Sequence, residues 1–412
     1  MLVRTVVNVW PLFFGLSLIG LAVGVQGSLL GIRAELEGFE SNLIGLLMSC
    51  YFAGFMAGSL LAPRLISRVG HIRTFGALAA LASITILVHA TYVEPWTWAA
   101  MRLLTGFAFS AIYVVAESWL NQAASNENRG QILSIYMVIL LGGICIGQLM
   151  LNLAEPTEFT LFILISVMVS FAAIPILMTV LPTPDLEESE RVSVAHLWRR
   201  APMGVIGIVL VQWCSSVVFG IGAVYAAKLG MTVAEVANFM AAIMAGGMFL
   251  QWPLGRLSDH IDRRWVMGVA SILAAITAAF ASQESGASWL LYTLAFLFGG
   301  FALSLYSLVV ALTNDHLRPA EIVPASGTIV LVGGVTSITG PISASLLIER
   351  FGLQAFFLML AVCLLLMAAI SIWRAIYIPA LPPEYKTQST LQAAPAPVGT
   401  VLHAEEEEPA DH

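Results

Sequence analysis

"GRLSDHIDRRWVM", residues 255–267, places six charged or titratable side chains (Arg256, Asp259, His260, Asp262, Arg263 and Arg264) in a chain where Asp, Glu, Lys and Arg make up only 10%. Hydrophobic residues make up 59%, and the mean hydropathy is +0.89. Apolar residues form about half of an ordinary soluble domain, and a chain this apolar cannot cover its surface with polar groups. Its solvent is therefore lipid, and the charged stretch reads as a short connection between membrane spans. A similar crowding of charge occurs 192 residues earlier, in "PRLISRVGHIRTF", residues 63–75.

About 20 apolar residues cross a bilayer core of about 30 Å. Twelve segments meet that length: roughly 6–32, 41–63, 74–93, 95–120, 131–153, 159–182, 203–227, 234–255, 265–283, 287–313, 322–348 and 353–376. Backbone groups in lipid must be satisfied within the segment, so the spans are helices and the expected fold is an all-α membrane protein. Thr5 to Ile32 carries no charge, which is too long for a signal core and reads as a retained helix. Cys50, Cys145, Cys214 and Cys363 all fall inside spans with no paired spacing, and read as packing residues.

Lys and Arg in short loops set orientation, the excess staying in the cytoplasm. With the N-terminus inside, 14 of the 18 Lys and Arg residues fall on the cytoplasmic side, while Arg33, Lys228 and Arg350 fall outside and Arg102 lies in a span. Both termini are therefore expected in the cytoplasm. Residues 182–202 read as a cytoplasmic linker, with a short amphipathic helix around Val194–Arg200, dividing a six-helix half (1–181) from a second (203–378). The Pro-, Ala- and acid-rich tail, 379–412, reads as disordered.

Two halves of six invite a search for internal symmetry. Pro63-Arg64-Leu65 aligns on Gly255-Arg256-Leu257, with Gly54 on Gly246 in the same register. "GFAFS" (106–110) returns as "GFALS" (300–304), and "LLGG" (140–143) as "LVGG" (331–334), offsets of 194 and 191. Three matches in order argue for a duplicated unit.

These elements resemble the major facilitator superfamily over residues 5 to 378. Its hallmark connection is a Gly-x-Leu-x-Asp-Arg-x-Gly-Arg-Arg-like run. "GRLSDHIDRR" keeps Gly255, Leu257, Asp259, Arg263 and Arg264, with His260 and Asp262 where Arg and Gly are usual. "PRLISRVGHIR" keeps Leu65, Arg68, Gly70 and a shifted Arg73, but has Ser67 for Asp. "RLLTG" (102–106) matches the family's Arg-x-x-x-Gly element, and "AESWLN" (116–121) is similar to the YcaD-like bacterial branch. The resemblance implies a monomer in the bacterial inner (plasma) membrane that moves a small molecule by alternating access, with protons as the expected drive and export as one direction, or else an uncoupled facilitator. It also implies a cytoplasmic gate built from Arg64, Arg68, Gly70, Gly255, Arg256, Asp259, Arg263 and Arg264. In that gate Asp259 would latch onto the start of the fifth span near Arg129-Gly130-Gln131 and favour an outward-open state.

Ionisable groups at membrane depth are costly and point to function. Arg102 and Glu117 lie within the fourth span, 15 residues or ~22 Å of helix apart, so they face alike but cannot touch. By resemblance, Arg102 matches the residue tied to proton relay and substrate. Glu117 either carries a proton or ties its helix to a cytoplasmic loop. Gln26, Gln148, Gln212 and Tyr306 lie in helices that line the family's central cavity, while His89 reads as a packed histidine. No G-x-x-x-x-G-K-[ST] loop and no metal-ligand spacing occurs, so neither ATP-driven transport, an enzyme, a metal nor any other cofactor is expected. Nothing in the sequence points to nucleic acid as a partner.

Overall fold

The computed structural model describes residues 9–124, 129–179 and 192–379, so about half of the linker and nearly all of the tail lie outside the described residues. Twelve long helices occur among them: α1 Trp10–Leu36, α2 Ser41–Val69, α3 His71–Thr91, α4 Pro95–Ala123, α5 Arg129–Met150, α6 Thr160–Leu177, α7 Pro202–Lys228, α8 Val233–His260, α9 Arg263–Ala281, α10 Trp289–Asn314, α11 Pro319–Phe351 and α12 Ala355–Tyr377. Each is long and apolar enough to cross a membrane, and no strand occurs among the described residues. The expected linker helix is present at Val194–Arg200.

Helix starts follow local chemistry. Pro opens α1, α4, α7 and α11, where its missing N–H costs nothing. Glu94 caps α4 by accepting from the N–H groups of Thr97 (2.7 Å) and Trp96 (3.1 Å), and these two bonds hold its carboxyl below the usual range. Thr232 and Glu235 form a capping box at α8.

The two charged stretches are helical where the sequence implied loops. α2 continues through Arg64 and Arg68 to Val69, and α8 continues through Gly255 and Asp259 to His260. Nothing forces a helix to end at the lipid boundary, because water also satisfies its backbone. The α2–α3 connection is Gly70 alone, whose φ of +84° suits a residue without Cβ. The α8–α9 connection is Ile261 and Asp262. The face carrying both connections is called the basic face below, and the other the opposite face.

Within the first six helices α2 packs on α4, α1 on α5 and α6, and α3 on α4 and α6. Within the last six, α8 packs on α10, α7 on α10 and α11, and α9 on α10 and α12. The two groups meet through α2–α11, α5–α8 and α1–α7. Backbone contact at glycines fixes the register of the repeat. A Cβ on Gly54 would strike the Leu103 carbonyl and one on Gly106 the Tyr51 carbonyl. Gly246 and Gly299 stand in the same way against the Phe296 and Ile243 carbonyls. Gly106 thus answers Gly299, one residue from the match that "GFALS" offers. Likewise Gly147 lies on the Leu21 carbonyl, and Gly340 on the Ser216 hydroxyl and the Trp213 carbonyl, an offset of 193 rather than the 191 of "LLGG" and "LVGG".

Candidate transport site

α4 presents an almost wholly buried side from Ala108 to Leu120, and Glu117 sits in it at 5% exposure. The Tyr136 hydroxyl of α5 donates to Glu117 Oε1 at 2.9 Å. The phenols of Tyr113, one turn earlier on α4, and of Tyr306 on α10 lie within reach of the carboxylate's charge. No described basic side chain forms an ion pair with Glu117. Among the described residues this acid is therefore bonded to a helix side chain, Tyr136 of α5.

Arg102 lies toward the opposite face at 4% exposure. Its Nη2 points at the Met48 sulfur at 3.1 Å, and the guanidinium carbon stands 4.5 Å from the centre of the Tyr51 ring. Its Nε has no partner, and no described carboxylate pairs with it. A desolvated cation–π contact contributes about 2 kcal/mol, whereas burying a guanidinium costs several kcal/mol. The described residues alone do not offset the charge. His89 is packed, with Nδ1 2.7 Å from the Thr85 carbonyl and its ring edge-on to Trp98.

The glutamines divide. Gln148 accepts from Ser28 at 2.6 Å and ties α5 to α1. Gln26 is buried with Nε2 unpartnered, and Gln212, against Gly333, leaves Oε1 unpartnered. Two of the four cavity candidates therefore keep spare hydrogen-bonding capacity in the interior.

Of the gate residues on the basic face, Arg64 and Arg68 are exposed, and Ser67 donates to the Arg64 carbonyl within its own helix at 3.0 Å. Arg256 lies over Trp252 at 5.6 Å. Arg263, 1% exposed, donates through Nε to Asp315 at 2.8 Å and through Nη1 to Ser258 at 3.0 Å, with Asp259 3.2 Å away. Arg264 grips Asp262 with Nη2 at 2.6 Å and Nε at 3.0 Å. Its Nη1 donates to the Arg374 and Ile378 carbonyls, both at 2.9 Å. Arg263 thus ties the α8–α9 turn to the end of α10, and Arg264 ties it to the end of α12. These contacts brace the last six helices among themselves. The expected reach of Asp259 to Arg129 and Gly130 falls on side chains outside the described residues, and Gln131 is exposed.

On the opposite face the two groups touch directly. Lys228 Nζ at the end of α7 stands 2.9 Å from Glu35 Oε2 on α1, a charge contact rather than an aligned hydrogen bond. Cys145 donates to the Ala241 carbonyl at 3.6 Å, and Gly45 leaves room only for the Pro341 carbonyl and Ser345. Glu35, Asp315, Tyr136, Met48 and Tyr51 are site partners that sequence reasoning did not find. No local pattern marks them, because each is chosen by a helix distant in the chain.

The Major Facilitator Superfamily model matches residues 12–225 and again 204–405. An uncharacterized MFS-type transporter of Yersinia pestis is 26% identical over 352 residues, covering 85% of this chain and 91% of its own length. The uncharacterized MFS-type transporter YcaD of Escherichia coli O45:K1 (strain S88 / ExPEC) is 26% identical over 353 residues, with the same shares. Among solved structures, the nucleoside transporter NupG superposes with a TM-score of 0.70 at 14% identity, covering 89% of this chain and 99% of its own. A bacterial homolog of the human lysosomal transporter Spinster, inward-facing and unoccupied, gives 0.73 at 14% identity, covering 89% and 96%. At that identity the likeness concerns the fold. With the family model spanning nearly all of the twelve helices, the chain belongs to the Major Facilitator Superfamily, as a multi-pass membrane transporter of a small molecule and not an enzyme.

Proposed function

We propose that this protein is a proton-coupled secondary transporter of the bacterial inner membrane that works by alternating access, with its basic face and both termini in the cytoplasm. The observation that carries this reading is Glu117: a buried carboxyl that, among the described residues, has one phenol partner and no cation. An ionised carboxylate in such a place costs several kcal/mol, and taking up a proton removes that cost. Rocking one half against the other would carry Tyr306 toward or away from Glu117, and so link proton occupancy to the side that is open. Arg102, with Gln26 and Gln212, would meet the solute. Its uncompensated guanidinium suits an anionic group, which it can hold through two parallel hydrogen bonds.

In this reading residues 1–181 and 203–378 move as two bodies, as a monomer, and the gate residues from Arg64 to Arg264 act at the cytoplasmic side. The test begins with a thermal-shift screen of metabolites, since a bound ligand raises the stability of the native state. A hit is then offered to proteoliposomes with and without an imposed pH gradient. Accumulation that follows the gradient supports coupling. Flux that only equilibrates the solute, whatever the gradient, would identify an uncoupled facilitator instead.

A further inference from the structure

α6 and α12 are the last helices of their groups, yet they pack differently. α6 lies along α1, with Gly15 closed down on Ile176 and the Ala172 carbonyl. α12 lies mainly along α9. It touches α7 where Met367 reaches Gly207 and where the Cys363 thiol donates to the Leu210 carbonyl at 3.6 Å. From there toward the opposite face, a groove of about 890 Å³ lies between α7, α11 and α12.

We propose that this groove holds one glycerophospholipid from the leaflet of the opposite face, with acyl chain between the three helices and phosphate against Arg350. Its size falls within the range of about 300–1,000 Å³ that encloses small molecules. Its depth is that of one leaflet: Gln354 at the mouth and Leu366 at the foot are 12 residues apart, ~18 Å of helix against a core of about 30 Å.

The wall asks for hydrocarbon. Leu358, Val362 and Leu366 supply apolar surface. The polar groups beside them are already satisfied: Trp213 Nε1 donates to Ser343 at 3.1 Å, Thr336 to the Val332 carbonyl at 2.9 Å and Thr339 to the Thr336 carbonyl at 2.7 Å. Below Gln354 at the mouth, these side chains already spend their donors within the protein. At the mouth, Arg350 follows Leu347, which lines the groove, by three residues on α11, so the two side chains are neighbours on one helix face. Arg350 is exposed and forms no ion pair with any described residue. A cation at headgroup depth beside an apolar slot complements a phosphodiester with its chain.

Native mass spectrometry of the full chain, extracted from vesicles of phosphatidylglycerol and phosphatidylethanolamine, tests this. The parent protein should retain one phospholipid. Val362→Trp, which fills the slot, should lower retention about tenfold, and Arg350→Gln about fivefold. Val167→Trp, at an exposed position of α6, should change nothing. Equal retention by Val362→Trp and the parent would overturn the proposal, as would a co-purifying small amphiphile in place of phospholipid. Should Val362→Trp fail to fold, Cys363 in the parent serves instead. Stripping lipid should speed its modification by a membrane-permeant maleimide, and restoring phosphatidylglycerol should slow it. An unchanged rate would sink the assignment.

Discussion

Lys228 at the end of α7 and Glu35 near the end of α1 stand 2.9 Å apart and join the two groups of helices across the opposite face. Both side chains are about a quarter exposed, at 22% and 28%, so the pair contributes about 1 kcal/mol. Lys228→Gln should therefore shift the population toward opening on that face by about fivefold. Double electron–electron resonance between spin labels on the Thr91–Pro95 and Ala281–Ser288 connections would read it. An unchanged distance distribution would show that the ion pair does not hold this face.

Glycines in contact with a facing carbonyl should not tolerate a methyl group. Gly54→Ala and Gly246→Ala should each lower the unfolding temperature sharply, because backbone is the obstacle and cannot move aside. Overpacking of this kind costs about 1–3 kcal/mol or more. Gly27→Ala and Gly142→Ala, where no atom lies within 4 Å, should be neutral or slightly stabilising. Equal effects at the four positions would show that the α2–α4 and α8–α10 contacts are looser than described.

Among the described residues Arg263 has a buried and a half-open acidic partner, Asp315 at 3% side-chain exposure and Asp259 at 30%. Asp315→Asn should cost about 3 kcal/mol, because a buried guanidinium loses its charge partner. Asp259→Asn should cost about 1 kcal/mol or less. Thermal unfolding in detergent measures both. The reverse order would move the structural weight of this turn from α10 back to the family's Asp259.

Arg102 is a charge that folding alone would not select. Arg102→Met replaces it with an apolar chain of similar length, and such exchanges at buried ions are often stabilising by about 1–4 kcal/mol. The variant should melt at a higher temperature and fail to bind whatever solute the screen returns. A variant that melts lower, with binding intact, would make Arg102 structural.

Much of the fold was legible in the sequence, because a span needs only length and apolarity. All twelve spans appear, and the first closes at Leu36 rather than near residue 32. The charged stretches misled about local structure, since charge marks the membrane boundary and not the helix end. The repeat was visible, and its register was right where Gly54 falls on Gly246 but not at the other two matches. Small-residue words recur by composition, whereas the carbonyls beside Gly299 and Gly340 are set by helix crossing. Arg102 and Glu117 stood out because charge is rare in an apolar run. Their partners did not, since Met48, Tyr51 and Tyr136 are ordinary membrane-helix residues until another helix is laid against them.

The central claim is that Glu117 carries the coupled proton. The direct measurement is solute transport by Glu117→Gln in proteoliposomes, run both as exchange at equal pH and as accumulation against an imposed pH gradient. The amide keeps the hydrogen bond to Tyr136 but cannot take up or release a proton. Exchange near the parent rate with gradient-driven accumulation abolished is the predicted result. Accumulation that persists in Glu117→Gln and still follows the gradient would contradict it.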